Sequence, residues 1–301
     1  MGKRDIFRMV DFDRGTVTID GNEYELLDKN FPTVCRKDPL SLTDAENELM
    51  SVLENSFMHS ERLNSHIRFL YSKGSMYKTI NGNLLFHGCI PLDENGQLQS
   101  VNIAGTDYSG KALLDKLDEI ANKAYFMQPG EEKDYAADYM WYLWSGARSP
   151  LYGKDKMAFF ERYFLDDKKL HKENYNAYYH FSEQAEVCGW ILEMFGLDPE
   201  RGHIINGHVP VKIKNGEKPV KAGGKLFVID GGISKAYQKA TGIAGYTLIY
   251  DSHSLNLAEH KPFVAGESEH TPEIHLVERL ERRANISDTD KGAELLEQIN
   301  D

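Results

Sequence analysis

An α+β fold, with strands towards both ends of the chain and a cluster of helices between them, follows from three observations along the 301 residues. Apolar and polar residues alternate in Gly15-Thr-Val-Thr-Ile-Asp-Gly21 and on both sides of Asn81-Gly82. A three-and-four period takes over between Ser109 and Phe195, and the two-residue period returns beyond Gly202. With 41% hydrophobic and 27% charged residues the composition is that of an ordinary globular chain, long enough for one large domain or two small ones.

Taken in order, residues 1–40 read as a β-rich opening segment of short strands and turns. Thr43-Asp-Ala-Glu46 is a capping box in which Thr43 starts a helix that runs to about His59. A second helix, from about Glu61, ends at Gly74 in an expected left-handed turn. Met76 to Ile80 and Leu84 to Cys89 flank Asn81-Gly82, the signature of a tight hairpin, so His87 falls on the returning strand; Asn95-Gly96 continues the β character. Ser109 caps a helix through Leu113, Leu117 and Ile120. Asp134 to Ser145 and Lys156 to Leu165 follow as helices, with an aromatic stripe that includes Trp141, Trp144, Phe159 and Tyr163 and is expected in the core. Glu183 to Phe195 is another helix. Strands joined by turns are then expected at 203–207, 209–213, 225–229, 246–250 and 255–259. Residues 264–301 read as an acidic tail, a frayed helix or a partner contact. The domain reading is therefore 1–40, 41–263 with a helical insert at about 105–201, and 264–301.

Composition excludes several functions. A net charge of −12 repels nucleic acid and anionic membranes, no apolar run is long enough for a membrane helix, and the first residues lack the apolar stretch of a secretory signal; the expected location is the cytoplasm. Cys35, Cys89 and Cys188 have no CxxC spacing, so no disulfide framework or zinc knuckle is expected, and Cys89 is read as a small buried filler. The charge is uneven. From Pro210 to Thr241 seven lysines stand against two acids, a net of +5, which leaves −17 elsewhere. Such a basic island suits either a phosphorylated small substrate or the solvent face of a hairpin.

The chemistry concentrates on two glycine-flanked histidines in apolar settings, His87 in Asn83-Leu-Leu-Phe-His87-Gly-Cys-Ile-Pro91 and His208 in His203-Ile-Ile-Asn-Gly-His208-Val-Pro210. Imidazoles placed this way can clasp one metal ion or can be satisfied core residues. They cannot hold two divalent ions together, because neutral ligands offset none of the repulsion between the cations. The carboxylate segments that a binuclear phosphatase needs, of the form Asp-x-His, Gly-Asp-x-x-Asp-Arg and Gly-Asn-His, are missing apart from Asp251-Ser-His253 on a late polar strand. The chain thus reads as part of a site.

Separated stretches carry a resemblance to the class III fructose-1,6-bisphosphatases of bacteria: Lys78 through Pro91, Tyr108-Ser-Gly-Lys-Ala-Leu-Leu-Asp115, Ser149-Pro-Leu-Tyr-Gly-Lys-Asp-Lys156, Ile205-Asn-Gly-His208-Val-Pro-Val-Lys212 and Gly224 through Lys239. The resemblance covers roughly residues 1–263 and implies an incomplete calcineurin-like αββα metallophosphatase sandwich. It further implies manganese-dependent hydrolysis of fructose 1,6-bisphosphate to fructose 6-phosphate, with His87 and His208 as metal ligands on one ion. It places Lys212, Lys235, Lys239 and Tyr246 beside the substrate phosphate. Family members are about twice as long, and the missing carboxylate segments belong to the part this chain lacks. The implied partners are therefore a sugar bisphosphate together with a missing amino-terminal half or a homo-oligomer. The alternatives are a non-catalytic sugar-phosphate-binding or assembly fragment, and another calcineurin-like phosphatase. An incomplete sandwich of this kind is expected to expose sheet edges and an apolar face and to self-associate.

Overall fold

The computed structural model describes residues 6–230, 232, 234–262 and 271–300. Gly231 and Ile233 of the lysine-rich loop, and the expected boundary at 263/264, lie outside the described residues. The chain divides into two compact units, residues 1–74 with 156–174, and residues 75–155 with 175–301.

In the first unit, β1 (Val10–Asp11), β2 (Thr16–Ile19) and β3 (Asn22–Glu25) form an antiparallel sheet. Its small core joins Val17 and Leu26 to Phe160 and Leu165, with Phe7, Phe31 and Phe164 packed edge-to-face around them. Two helices follow β3. Thr43 caps α1 (Asp44–Met58) with the full reciprocal box that its sequence calls for. Ser60 caps α2 (Glu61–Lys73), but Gly74 is extended at φ −91° and not left-handed. Glycine is needed there for another reason, since a Cβ would lie 2.6 Å from the Leu70 carbonyl oxygen. Neither helix buries a residue, and Leu49, Val52, Phe57 and Phe69 are each more than half exposed. The helix expected at 156–165 shrinks to α5 (Phe159–Phe164): Ala158 precedes it with a non-helical ψ of 57°, and its N–H, which has no acceptor within the helix, donates to the Glu173 carboxylate.

The second unit carries the larger sheet, in the order β4 (Tyr77–Ile80), β5 (Asn83–Phe86), β8 (Ile204–Asn206), β10 (Leu226–Val228), β9 (Val220–Lys221). Asn81 (φ 49°) and Gly82 (φ 78°) make the expected tight turn between β4 and β5. The central three strands are parallel, Leu84 beside Ile204 and Ile204 beside Leu226. This corrects the picture of strands joined by turns. Parallel neighbours need a crossover; the helical middle supplies it between β5 and β8, and residues 207–225, with β9, supply it between β8 and β10. A small hairpin of β6 (Val101–Ile103) and β7 (Thr106–Tyr108) leads into α3 (Gly110–Phe126) and α4 (Glu131–Ser145); α6 (Tyr178–Phe181) and α7 (Ala185–Met194) precede β8. Ser109 stands at the start of α3 without a side-chain capping bond.

The main core runs through Leu113, Leu117, Ile191, Leu192, Ile204 and Phe227, each side chain contributing about 2 kcal/mol by leaving water. Cys89 belongs to it as the filler the sequence suggested, only 1% exposed. The aromatic stripe does not belong wholly to a core: Trp141, Trp144, Phe159 and Tyr163 are 45–66% exposed.

Residues 209–213 form no strand. His208 turns left-handed at φ 65°, Pro210 has no N–H to pair, and Val211 alone bonds across, to Asp230 O at 2.9 Å. After α8 (Lys235–Thr241), an antiparallel sheet contains β11 (Gly245–Tyr250), β12 (Ser254–His260) and β13 (Glu273–Arg279). The reading of 264–301 as a frayed helix or partner contact is corrected in part: β13 pairs six of its seven residues with β12 across a register shift, and among the described residues an α-helix forms only at 290–300. The final helix, α9 (Asp290–Asn300), is tied to the β4–β5 hairpin: the Asn81 N–H donates to Asp290 Oδ2 at 2.7 Å and the Asp290 N–H to Asn81 Oδ1 at 3.1 Å. No helix among the described residues is long and apolar enough to cross a membrane.

Candidate metal centre

Three neighbouring parallel strands end side by side, and each delivers a polar residue just past its carboxyl end: His87 after β5, His208 after β8, Asp230 after β10. Ligands in open α/β sheets bind at such strand ends because the chain there leaves the ladder with free backbone and outward-turning loops. The Gly207 N–H donates to His87 O at 3.0 Å, and the Ile229 N–H to Asn206 O at 3.0 Å, so the ladder holds until the residues that matter. His208 then takes its left-handed conformation, which for a residue with a Cβ is a cost sustained by the surrounding structure.

The two imidazoles meet. His87 Nε2 and His208 Nδ1 are 3.0 Å apart, with ring centroids 4.9 Å apart and planes at 70°. His208 Nε2 lies 2.8 Å from Tyr152 O, an acceptor only, so Nε2 carries the proton and Nδ1 presents a lone pair towards His87. A tautomer shift of His87 alone, moving its proton to Nδ1, turns the pair into two converging donors. Two nitrogens each about 2.1 Å from one ion and about 90° apart as seen from it lie about 3 Å from one another, so the pair fits two positions of a single cation.

Both pKa values are held below the ordinary histidine value. For His87 the causes are lost hydration and then the field of His208, opposed by Asp230. For His208 they are burial, opposed by its bond to Tyr152, with the Lys154 charge lowering and the Asp230 charge raising the value. The pair is therefore neutral at pH 7, the form that ligates metal. Among the described residues no group of three His, Cys, Asp or Glu side chains stands ready to hold an ion. Among the described residues two such donors meet and no third joins them.

The loop at 149–154 backs this arrangement. The Cys89 N–H donates to Pro150 O at 2.9 Å, and a Cβ on Gly88 would lie 2.4 Å from that same oxygen, so only glycine allows the approach. Lys154 lies over the faces of Tyr152 and Tyr175, 5.7 and 5.4 Å from their centroids.

The other expected site residues lie on separate segments. Lys212 is half-buried, its N–H bonded to Glu217 Oε2 at 2.9 Å. Lys235 and Lys239 are exposed on α8, where Lys239 O accepts from Lys214 Nζ at 2.7 Å. Tyr246 is 8% exposed; its N–H donates to Ile229 O at 3.1 Å, its hydroxyl has no hydrogen-bond partner, and burial pushes its pKa up to about 12. Asp251 caps its own turn through the N–H groups of His253 and Ser254. Sequence reasoning passed over Asp230, Tyr152 and Lys154 as individual residues, although all three stand in the stretches that carry the resemblance. Asp230 in particular follows a strand of three residues, too short to show a period.

Comparison with known proteins agrees with these stretches. A family model described as Firmicute fructose-1,6-bisphosphatase matches residues 1–301. A protein of Clostridium botulinum named fructose-1,6-bisphosphatase class 3 is 52% identical over 299 residues, 97% of this chain and 45% of its own length. Proteins of the same name from Bacteroides fragilis and Clostridioides difficile are 51% and 48% identical over the whole chain, which covers 46% and 47% of them. The chain thus spans a little under half the length of these curated relatives. No solved structure matches it. With its full length matched by the family model and half its residues shared with curated members, the chain belongs to the Firmicute fructose-1,6-bisphosphatase family.

Proposed function

We propose that this chain contributes His87 and His208 to the divalent-metal centre of a phosphatase that hydrolyses fructose 1,6-bisphosphate to fructose 6-phosphate and phosphate in the cytoplasm. Its sheets would then belong to a calcineurin-like αββα sandwich completed by polypeptide outside these residues or by another copy of the chain. The observation that carries the reading is the 3.0 Å approach of His87 Nε2 to His208 Nδ1 at the ends of parallel strands.

His87 Nε2 and His208 Nδ1 would hold a manganese ion, which when bound supplies Lewis acidity towards a phosphoryl oxygen and acidifies water. The chain's own residues do the rest. Tyr152 O keeps the His208 proton on Nε2 and so frees Nδ1. Lys212, Lys235, Lys239 and Lys154 would supply ammonium charge to offset that on a transferring phosphoryl group, and the Tyr246 hydroxyl, buried and without a hydrogen-bond partner among the described residues, would become a further donor only if the surrounding loop opened. In the hydrolysis water attacks the C1 phosphorus, the bond from phosphorus to the sugar oxygen breaks, and a proton passes to that oxygen.

The lack of a third ligating side chain among the described residues favours a second reading, a sugar-phosphate-binding or assembly module without turnover. Phosphate release from fructose 1,6-bisphosphate with Mn²⁺ separates the two, measured for this chain alone and mixed with the rest of a curated relative. Release that depends on His87 and His208 supports the first. Sugar bisphosphate binding without release in either preparation supports the second, and release from phosphopeptides in place of the sugar overturns both in favour of another phosphatase.

A further inference from the structure

We infer that Asn206 is the positioning residue that keeps His87 and His208 in register, an assignment that rests on the metal reading above. Asn206 is the last residue of β8, the middle one of the three parallel strands, and is 4% exposed. Its backbone faces one neighbour and its side chain the other. The main-chain oxygen accepts from Ile229 N–H at 3.0 Å, beside the end of β10, while the side-chain Nδ2 donates to Gly88 O at 3.3 Å, next to His87. The same Nδ2 donates its second proton to the Tyr178 hydroxyl at 2.9 Å. Gly88 O can only accept, so the amide orientation is settled and Oδ1 points away.

The regular β5·β8 pairing stops at Leu85 and Ile205. Beyond it the two chains diverge into the loops that hold the histidines, and just two bonds continue the ladder: Gly207 N–H to His87 O, and the Asn206 amide to Gly88 O. They hold two consecutive carbonyl oxygens, those of His87 and Gly88. Together they set the distance between the loop that begins at His87 and the one that reaches His208 two residues later.

The Oδ1 of Asn206 is buried with no hydrogen-bond partner among the described residues, and Asn206 helps line a cavity of about 60 Å³ together with Tyr179, Ser182, Gly207 and Val228. An unpaired buried acceptor is a cost, and a site chosen for packing alone would avoid it. What the residue supplies is its pair of donors.

The test uses the 301-residue chain and two variants: Asn206→Leu, which is branched at Cγ as asparagine is but has no donor, and Asn206→Ala. Three quantities are read: the nuclear Overhauser signal between the His87 and His208 rings without metal, the Mn²⁺ dissociation constant from the spin-resonance signal of free ion, and the thermal midpoint. The expected result is that the ring-to-ring signal disappears and Mn²⁺ affinity weakens about 10- to 100-fold in a chain that still unfolds cooperatively, its midpoint lowered by no more than about 10 °C. An unchanged ring-to-ring signal overturns the assignment, and so does one that vanishes only together with cooperative unfolding, which marks a packing role. If alanine unfolds the chain, Tyr178→Phe, which removes one acceptor of the amide, must weaken the same signal in a folded protein or the assignment fails. The metal-free signal separates this question from the parent reading: Mn²⁺ binding indifferent to His87→Ala and His208→Ala refutes the metal centre while leaving Asn206 to be judged on the ring geometry alone.

Discussion

Opposite ends of the same strands carry a single histidine and a histidine pair with opposite fates. At the amino end of β8, His203 is 7% exposed; its Nδ1 lies 2.9 Å from Asn83 Oδ1 and its Nε2 2.8 Å from Glu278 Oε2. Asn83 is turned so that its oxygen faces the ring, because its Nδ2 donates to Ile80 O and Asn81 O. At the carboxyl end, His87 and His208 have one nitrogen each directed at the other, and a protein oxygen holds the far side of His208 alone. A histidine whose two nitrogens are both matched by oxygen acceptors joins structure to structure, here β13 to β5 and β8. A pair whose nitrogens face each other keeps lone pairs for a ligand.

The largest effect expected from breaking this contrast is on metal binding. His87→Ala or His208→Ala lowers the Mn²⁺ affinity of the chain about 100-fold, near 2.7 kcal/mol, whereas His203→Ala leaves it within about twofold; calorimetric titration measures all three. Gly88→Ala comes next. Its Cβ would sit 2.4 Å from Pro150 O, backbone that cannot swing away, so about 2 kcal/mol of stability and much of the metal affinity are lost in denaturant and titration experiments. Gly207→Ala is the milder control, since its Cβ would meet Asp230 Cβ at an ordinary 3.4 Å.

His203→Ala reverses the pattern by costing stability. It orphans the Asn83 oxygen and removes the carboxylate contact to β13, for about 1–2 kcal/mol in urea unfolding with Mn²⁺ binding intact. Loss of metal affinity in that variant would break the contrast outright.

Acidity is expected to act more gently. The pKa values of His87, His208 and His203 are all lowered in the folded chain, chiefly by burial. Unfolding therefore takes up protons below the unfolded value of about 6.5; the stability involved is complete above that pH and is lost as pH falls through the folded values. A thermal midpoint a few degrees lower at pH 5 than at pH 7.5 is the expected outcome, with a smaller drop in His208→Ala, where His87 no longer faces a second ring. The smallest effect belongs to Asp290→Ala, which unties α9 from the Asn81 turn at about 0.5–1 kcal/mol and should show first as faster hydrogen exchange at the Asn81 N–H.

Local chemistry was legible wherever it acts over a few residues. The Thr43 capping box, the Asn81-Gly82 turn and the buried Cys89 need no distant partner, so sequence alone located them. The two histidines could be singled out for the same reason, since glycine beside histidine in an apolar run marks a loop leaving a strand. Spacing was silent where partners come from far along the chain. Ala158 holds a non-helical conformation beside Glu173, residues 209–213 were kept from pairing by Pro210 and the left-handed His208, and the short alternation in β13 does not say that its partner is β12.

By itself, then, the sequence determined the α+β class, most element positions and the identity of the two imidazoles, because hydrophobic period and turn residues act through nearest neighbours. Only the tertiary structure decided that β5, β8 and β10 run parallel, that His87 and His208 come within 3.0 Å at their ends, and that Tyr152, Asp230 and Asn206 stand around them. Parallel pairing joins residues far apart along the chain, Leu84 to Ile204, and strands of three or four residues carry too little pattern to announce which neighbour they will meet.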